Sequence, residues 1–308
     1  MSCSDSKRLA PMHDLRLREY PTDPNQRTFE WIERIDRRRG PTVSAGDLYK
    51  GAYWSTVREL SKVARKQRSK IELWVASAGY GLLHVDDQVE SYSATFAAYS
   101  PDSVSRVGSG EAAVIESSTW WERLTGRPTN SNKISCLREL AEESPRTPMV
   151  VVLSNSYLRA LQKDLLAAEQ QMDDPTRLFV VSAGIGPSDI SHLQVPLDAR
   201  FQAVLGGTLG SLNVRAAKTL IEDSATHRWN GKVVRDMFLQ RQRSLPAFER
   251  PKGRSLSNCQ VAQFIRDALK QDGGATRSSI LRKLRDSGLS CEQRRFAGIF
   301  SSVPKGSK

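Results

Sequence analysis

Three short apolar runs, Ile71 to Ala76, Met149 to Leu153 and Leu178 to Val181, constrain this chain more than any other feature. Each stops at small polar residues after four to six positions, too few for a buried helix, so each reads as a strand covered on both faces. Between the second and third, Tyr157 to Gln171 is rich in Leu, Ala, Lys and Gln, the pattern of a helix returning the chain to a parallel neighbour. Trp54 to Lys66, Lys133 to Glu143 and Asn213 to Ser224 mix Leu or Ala with charges at helical spacing. Alternating strands and helices predict an α/β domain over residues 1–230, a mainly parallel or mixed sheet flanked by helices.

Downstream the composition changes. Lys232, Arg235, Arg241, Arg243, Arg250, Lys252 and Arg254, broken by Pro246 and Pro251, predict a helix running into a basic linker over 231–256. Ser257 to Gln271, Arg277 to Ser287 and Glu292 to Ser302 then predict three amphipathic helices, separated by Gly273-Gly274 and Gly288, in a small module over 257–308. Two readings fit this module: a helix-turn-helix-like nucleic-acid contact, or a helical cap on the main domain.

Charge narrows the partner. Forty-six Lys and Arg against 34 Asp and Glu give +12 and an isoelectric point near 9.7. Such a balance favours a polyanion, because each phosphate contact releases condensed counterions. Lys50, Arg200, Arg215 and the basic residues of 231–256 are the candidate contacts; the forked guanidinium of Arg200 or Arg215 suits a phosphate or a carboxylate equally. The cysteines (Cys3, Cys136, Cys259, Cys291) and histidines (His13, His84, His192, His227) are too scattered for a metal-ligand spacing. No metal or cofactor is expected. No apolar run approaches the ~20 residues of a membrane span and no secretion signal is legible, so a cytoplasmic protein without a membrane partner is expected.

Small polar residues recur where strands end. Ser77-Ala78-Gly79-Tyr80-Gly81-Leu82-Leu83 follows the first run, Ser154-Asn155-Ser156-Tyr157 the second, and Ser182-Ala183-Gly184-Ile185-Gly186 the third. In open parallel sheets ligands bind outside the carboxyl ends of strands, and glycine there lets backbone amides approach closely. Cys3-Ser4-Asp5-Ser6-Lys7 adds a thiol, hydroxyls, a carboxylate and an ammonium; its bland alternative is a frayed tail. Trp54, Tyr80 and Tyr92 are candidates to stack on an extruded base, against the reading that they belong to the core. Trp120-Trp121 reads as packing, with a DNA-distorting wedge as its alternative.

The motif Cys3 to Lys7, the stretch Asp47-Leu48-Tyr49-Lys50-Gly51-Ala52-Tyr53-Trp54, and Ser77 to Leu83 followed by Tyr92 and Thr95 resemble, in order and spacing, the YaaA-like superfamily. Pro196 to Arg200 and Leu212 to Arg215 extend the resemblance over roughly the first 220 residues. That superfamily includes a DNA-binding peroxide-stress protein, relatives of the lysine-transferring domain of archaeosine synthase, and the DpdC members of a bacterial 7-deazaguanine DNA-modification system linked to phage defence. Relatives place an apolar strand before the cysteine motif, whereas only Met1 and Ser2 precede it here. The DpdC-type resemblance implies a nitrile hydratase-like enzyme that converts 7-cyano-7-deazaguanine in DNA to 7-amido-7-deazaguanine, alongside other proteins of such a system. Cys3 would then add to the nitrile, Lys7 would hold the sulfur ionised, and Asp5, or one of Asp86, Asp87 and Glu90, would move protons. Ser4, Ser6, Ser77, Gly81, Ser154, Asn155, Ser182 and Gly184 would line the substrate. The alternative implied by the same resemblance is a non-catalytic DNA-binding stress protein.

Overall fold

The computed structural model describes residues 1–37, 39–127, 134–249 and 253–303, the side chain of residue 294 excepted. The chain divides into two units, Met1–Pro246 and Ala247–Lys308. In the first, α1 (Pro24–Arg37), β1 (Thr42–Ser44) and α2 (Ala52–Lys66) precede β2 (Trp74–Ser77), β3 (Gly81–His84) and β4 (Gln88–Glu90). Then come α3 (Glu111–Thr125), α4 (Leu137–Glu143), β5 (Met149–Val152), α5 (Asn155–Ala160), α6 (Gln162–Gln171), β6 (Leu178–Ala183), β7 (Gln194–Leu197), α7 (Leu212–Glu222) and α8 (Gly231–Ser244).

The parallel sheet is β5-β6-β7, with Met149 opposite Leu178 and Val180 opposite Gln194. Leu178 to Val181 are fully buried, as an apolar run covered on both faces requires. Helix α7 packs on β5, β6 and α2, burying Leu212, Ala216, Ala217 and Leu220 at helical spacing. Each such Leu removed from water contributes about 1.5–3 kcal/mol. This is the α/β architecture expected.

Three details differ from expectation. The loop after the first run is a tight turn: β2 and β3 form an antiparallel hairpin with Ser77 opposite Gly81, so Leu82 and Leu83 are strand residues. The helix expected over Tyr157 to Gln171 is interrupted at Leu161, where ψ rises to 7° between α5 and α6. The basic stretch from 231 opens with the helix expected there, but that helix, α8, belongs to the first unit rather than to a linker. Asn230 caps α8 by accepting from the Lys232 and Val233 amides, and Val234 and Phe238, four residues apart, turn into the core against β7. Basic residues on the outer face hid that apolar pair.

Met1–Cys3 pair as a short strand-like segment through backbone alone. Ser2 bridges to Ala76 in parallel, the Cys3 amide donates to the Ala76 carbonyl (3.0 Å), the Ala76 amide donates to the Met1 carbonyl (2.7 Å), and the Ser2 amide donates to the Val152 carbonyl (3.2 Å). Met1–Cys3 therefore stitch the β2-β3 hairpin to β5, and main-chain order across the molecule runs β3, β2, Met1–Cys3, β5, β6, β7. Backbone bonds carry no side-chain signature, so composition could not reveal this seam.

The second unit contains β8 (Arg254–Ser255), α9 (Asn258–Gln271), α10 (Arg277–Asp286), β9 (Leu289–Ser290) and α11 (Gln293–Ser302). Ser257 and Gln260 form a reciprocal capping box on α9, and Thr276 caps α10 by accepting from the Ser279 amide. Leu256, Val261, Ile265, Ile280, Leu281, Leu284 and Phe296 form a core of its own. Strands β8 and β9 pair in parallel. A Cβ on Gly253 would lie 2.9 Å from the Leu289 carbonyl group, so the approach needs glycine. Lys133, Arg250 and Lys252 lie outside the described residues. Among the described residues no helix is long and apolar enough to cross a membrane.

Candidate active site

The seam fixes Cys3 at the carboxyl edge of the sheet, and a second local pairing fixes Lys7. The Lys50 amide donates to the Ser6 carbonyl and the Arg8 amide to the Leu48 carbonyl, setting Lys7 beside Tyr49. The Lys7 ammonium donates to the Ser4 carbonyl (2.9 Å) and sits 4.3 Å from the centre of the Tyr92 ring and 5.6 Å from that of Tyr49. An ammonium over an aromatic face, partly withdrawn from water, gains about 1–2 kcal/mol.

Around them is a continuous phenol and hydroxyl cluster. Cys3 Sγ lies 2.7 Å from the Tyr157 hydroxyl, on α5 just past the end of β5. The Tyr92 hydroxyl meets both Ser77 Oγ (2.7 Å) and the Tyr49 hydroxyl (2.9 Å). Ser77 Oγ also accepts the Gly79 and Tyr80 amides, closing the hairpin turn. Gly79 is required there by contact: a Cβ would stand 2.5 Å from the Tyr92 ring.

Burial sets the protonation states. It pushes the Tyr49, Tyr92 and Tyr157 phenols well above their ordinary range, and negative charge at Cys3 adds to the effect. The phenols therefore keep their protons, and Tyr157 is a donor to Cys3 whenever that sulfur is ionised. Burial lowers the Lys7 pKa, opposed by Cys3, Asp5 and Asp102. A thiol, a proton-holding phenol and an ammonium of weakened basicity thus meet in one place.

Ser154, Asn155, Ser182 and Gly184 make an adjacent set at the ends of β5 and β6. Ser182 Oγ donates to Asn155 Oδ1 (3.1 Å), Ser154 and Ser156 share a hydroxyl contact (3.1 Å), and Gly184, exposed at φ +89°, donates its amide to the Leu197 carbonyl. Asn213 clamps the set, donating to the Leu153 carbonyl and accepting the Ala183 amide, each at 2.8 Å. Ser4 is half-buried, while Asp5 and Ser6 are exposed.

Several expected roles fall away. Trp54 is fully buried with its face stacked on Tyr49 at 4.6 Å, and Tyr80 and Tyr92 meet edge to face at 5.3 Å, so the rings expected to receive a base already cover each other. Gly81 at φ +84° serves the hairpin turn, packed by Ser135 and Thr125. Trp120 and Trp121 are core, their indoles donating to the Ala78 carbonyl and Asp164. Glu90 is taken up by Arg34 and the Arg39 and Gly40 amides, Asp87 accepts the His84 amide, and Asp86 is exposed, so none of the three joins the thiol cluster. Arg200 spends its fork on Asp198 and the Gln242 carbonyl, tying α8 to the chain after β7, because the two residues are close in sequence and α8 closes over them. Arg215 is half-buried on Ser211 Oγ and the Leu205 carbonyl. Lys50, Lys232, Arg241, Arg243 and Arg254 are exposed, and Arg235 is half-exposed.

Sequence reasoning missed Tyr157, Tyr49 and Asn213 as cluster members, although each stood inside a motif it singled out. The available signal was a Tyr five residues past a strand end, as Tyr157 and Tyr49 are, or an Asn in the first turn of a helix, as Asn213 is. Two concavities, lined one by Arg27, Glu116, Trp120 and Arg123 and the other by Tyr20, Phe29, Glu30 and Arg34, lie away from Cys3. Compared with protein-family models, curated proteins and solved structures, the chain matches none.

Proposed function

We propose that this chain hydrates the nitrile of 7-cyano-7-deazaguanine in DNA, giving 7-amido-7-deazaguanine, with Cys3 as the nucleophile. The observation that carries the reading is the 2.7 Å contact of Cys3 Sγ with a phenol that keeps its proton, beside the Lys7 ammonium at the sheet's carboxyl edge. The motif resemblance supplies the substrate class, and the geometry supports the nucleophile. Cys3 gives up its proton and its sulfur bonds to the nitrile carbon; one C–N π bond breaks and nitrogen takes a proton delivered through Tyr157 or Lys7, leaving a thioimidate. Water adds to that carbon and gives its protons back to the site and the nitrogen. The C–S bond then breaks, the thiolate leaves, and the amide remains, so the sum is nitrile plus water. Amine attack by Lys7 would instead leave a stable amidine, which makes Lys7 the charge partner.

The test is turnover of a duplex containing 7-cyano-7-deazaguanine, digested and read by mass spectrometry. Cys3→Ala is expected to abolish amide formation and Tyr157→Phe to slow it about 10²-fold or more, the range of a lost proton-transfer group. Full conversion by Cys3→Ala refutes the assignment. A second reading, DNA binding without chemistry, is favoured by one observation: Cys3 is only 9% exposed, and the two concavities lie elsewhere. It predicts that the unaltered chain binds the duplex and leaves the nitrile intact.

A further inference from the structure

The positive charge is concentrated in the smaller unit. Residues 247–308 carry thirteen Lys and Arg against five Asp and Glu, so this stretch holds eight of the twelve net positive charges. Within it, α10 divides cleanly. Ile280, Leu281 and Leu284 face the unit's own core, while Ser278, Arg282 and Arg285, spaced four and three apart, form one exposed stripe, extended at the helix start by exposed Arg277. Lys283 turns aside to Gln271 (2.6 Å), and Arg295 is consumed by the Leu256 carbonyl and Cys291.

We propose that α10 enters the major groove of duplex DNA. A helix about 10–12 Å across with its side chains fits a groove about 12 Å wide, and ten residues give it about 15 Å of length to lie there. α9 and α10 are joined by the turn Asp272–Thr276, with Gly273-Gly274 in the bend and Thr276 fixing the start of α10, the order of a helix-turn-helix. Ser278, near the start of α10, is small enough for the backbone to approach base edges. Arg282 and Arg285, one and two turns further on, reach phosphates or the paired acceptors of guanine. The alternative reading of this module, a cap on the main domain, gives the cationic stripe no work. Duplex RNA is disfavoured because its deep, narrow major groove excludes a helix.

This surface deepens the DNA-directed reading above but is tested without it. The full chain is titrated against an unmodified duplex of about 20 bp, two helical turns, by fluorescence anisotropy across a salt series. The variant Arg277→Gln/Arg282→Gln/Arg285→Gln is expected to lose tenfold or more in affinity and to flatten the log-log salt slope by about 2–3, near 0.9 for each phosphate no longer neutralised. A charge-matched variant on exposed α2 positions, Lys62→Gln/Arg65→Gln/Lys66→Gln, is expected to keep the slope. All these side chains are exposed, and circular dichroism checks that both variants fold. Wild-type binding by the α10 variant, an equal loss in the α2 variant, or equal affinity for an RNA duplex overturns the proposal. Cys3→Ala keeps the slope whatever becomes of the nitrile chemistry, so failure of one reading is separable from failure of the other.

Discussion

Replacing Gly79 with alanine puts one methyl group against the Tyr92 ring, with its carbon 2.5, 2.6 and 3.1 Å from three ring atoms. The ring must retreat by nearly 1 Å to restore an ordinary contact. It cannot do so freely: Tyr92 is fully buried, and its hydroxyl is held by Ser77 and Tyr49. Overpacking of this kind costs about 1–3 kcal/mol, and breaking one of the two hydroxyl bonds adds about 1. The expected loss is therefore about 2–4 kcal/mol, a fall of about 4–16 °C in melting temperature for a unit of this size. Gly79 has ordinary negative φ, so the cost is contact rather than backbone strain. The decisive assay is a double-mutant cycle by urea denaturation: with Tyr92→Val in place the methyl has room, and Gly79→Ala should cost at least 1 kcal/mol less than in the wild type. Additive costs in the two backgrounds would refute the argument that the ring contact selects glycine.

Two further outcomes follow from buried carboxylates. Asp164 accepts the Leu137 and Arg138 amides and the Trp121 indole, capping α4 from a different helix, so Asp164→Ala should cost about 1–3 kcal/mol in urea denaturation, since two part-buried donors and the exposed Arg138 amide lose their acceptor. Burial raises the pKa of Asp102 and Glu90, but bonds from Arg18 and Arg34 outweigh it and hold both below the ordinary range; Arg34 does the same for Asp14. Folded values below unfolded ones mean stability is present above pH about 4 and lost as pH falls through the lower folded values. Asp102→Asn should lower stability at pH 7 by about 1–2 kcal/mol, Arg18 being half-exposed, and make the acid-side decline shallower; an unchanged decline would remove Asp102 from that account.

The runs at Met149–Leu153 and Leu178–Val181 were legible because burial leaves no other composition for a parallel strand, whereas in the first run only Trp74–Ala76 is strand, in a hairpin, and residues 71–73 lie outside it; α2, α7 and the three helices of the second unit followed from periodicity and caps. Long-range features were not. Nothing local to Gly231–Ser244 announces that Val234 and Phe238 meet β7, and nothing in Leu82-Leu83 distinguishes a loop from the return strand of a hairpin. Within the site, Cys3, Lys7 and Ser77 were singled out from polar residues at strand ends, and they do lie together. The aromatic residues were open to two readings for a physical reason. Tyr92 and Trp54 have large faces that suit a base or a core equally, and only the closure of the hairpin onto residues 47–54 and 3–7 decides that Tyr49 takes the face of Trp54 while Lys7 and Tyr80 take the ring of Tyr92.

The seam at Met1–Cys3 also ties the thiol to long-range pairings of the chain. Its bonds join positions separated in the chain by more than seventy residues on one side and about 150 on the other. Pairings of such separation carry a loop-closure cost that slows their formation. A slip of one residue would turn Cys3 to the opposite face of the sheet, away from Tyr157. An incompletely folded chain thus holds a cysteine but no assembled thiol cluster, and the register that completes the sheet is the one that aims the sulfur.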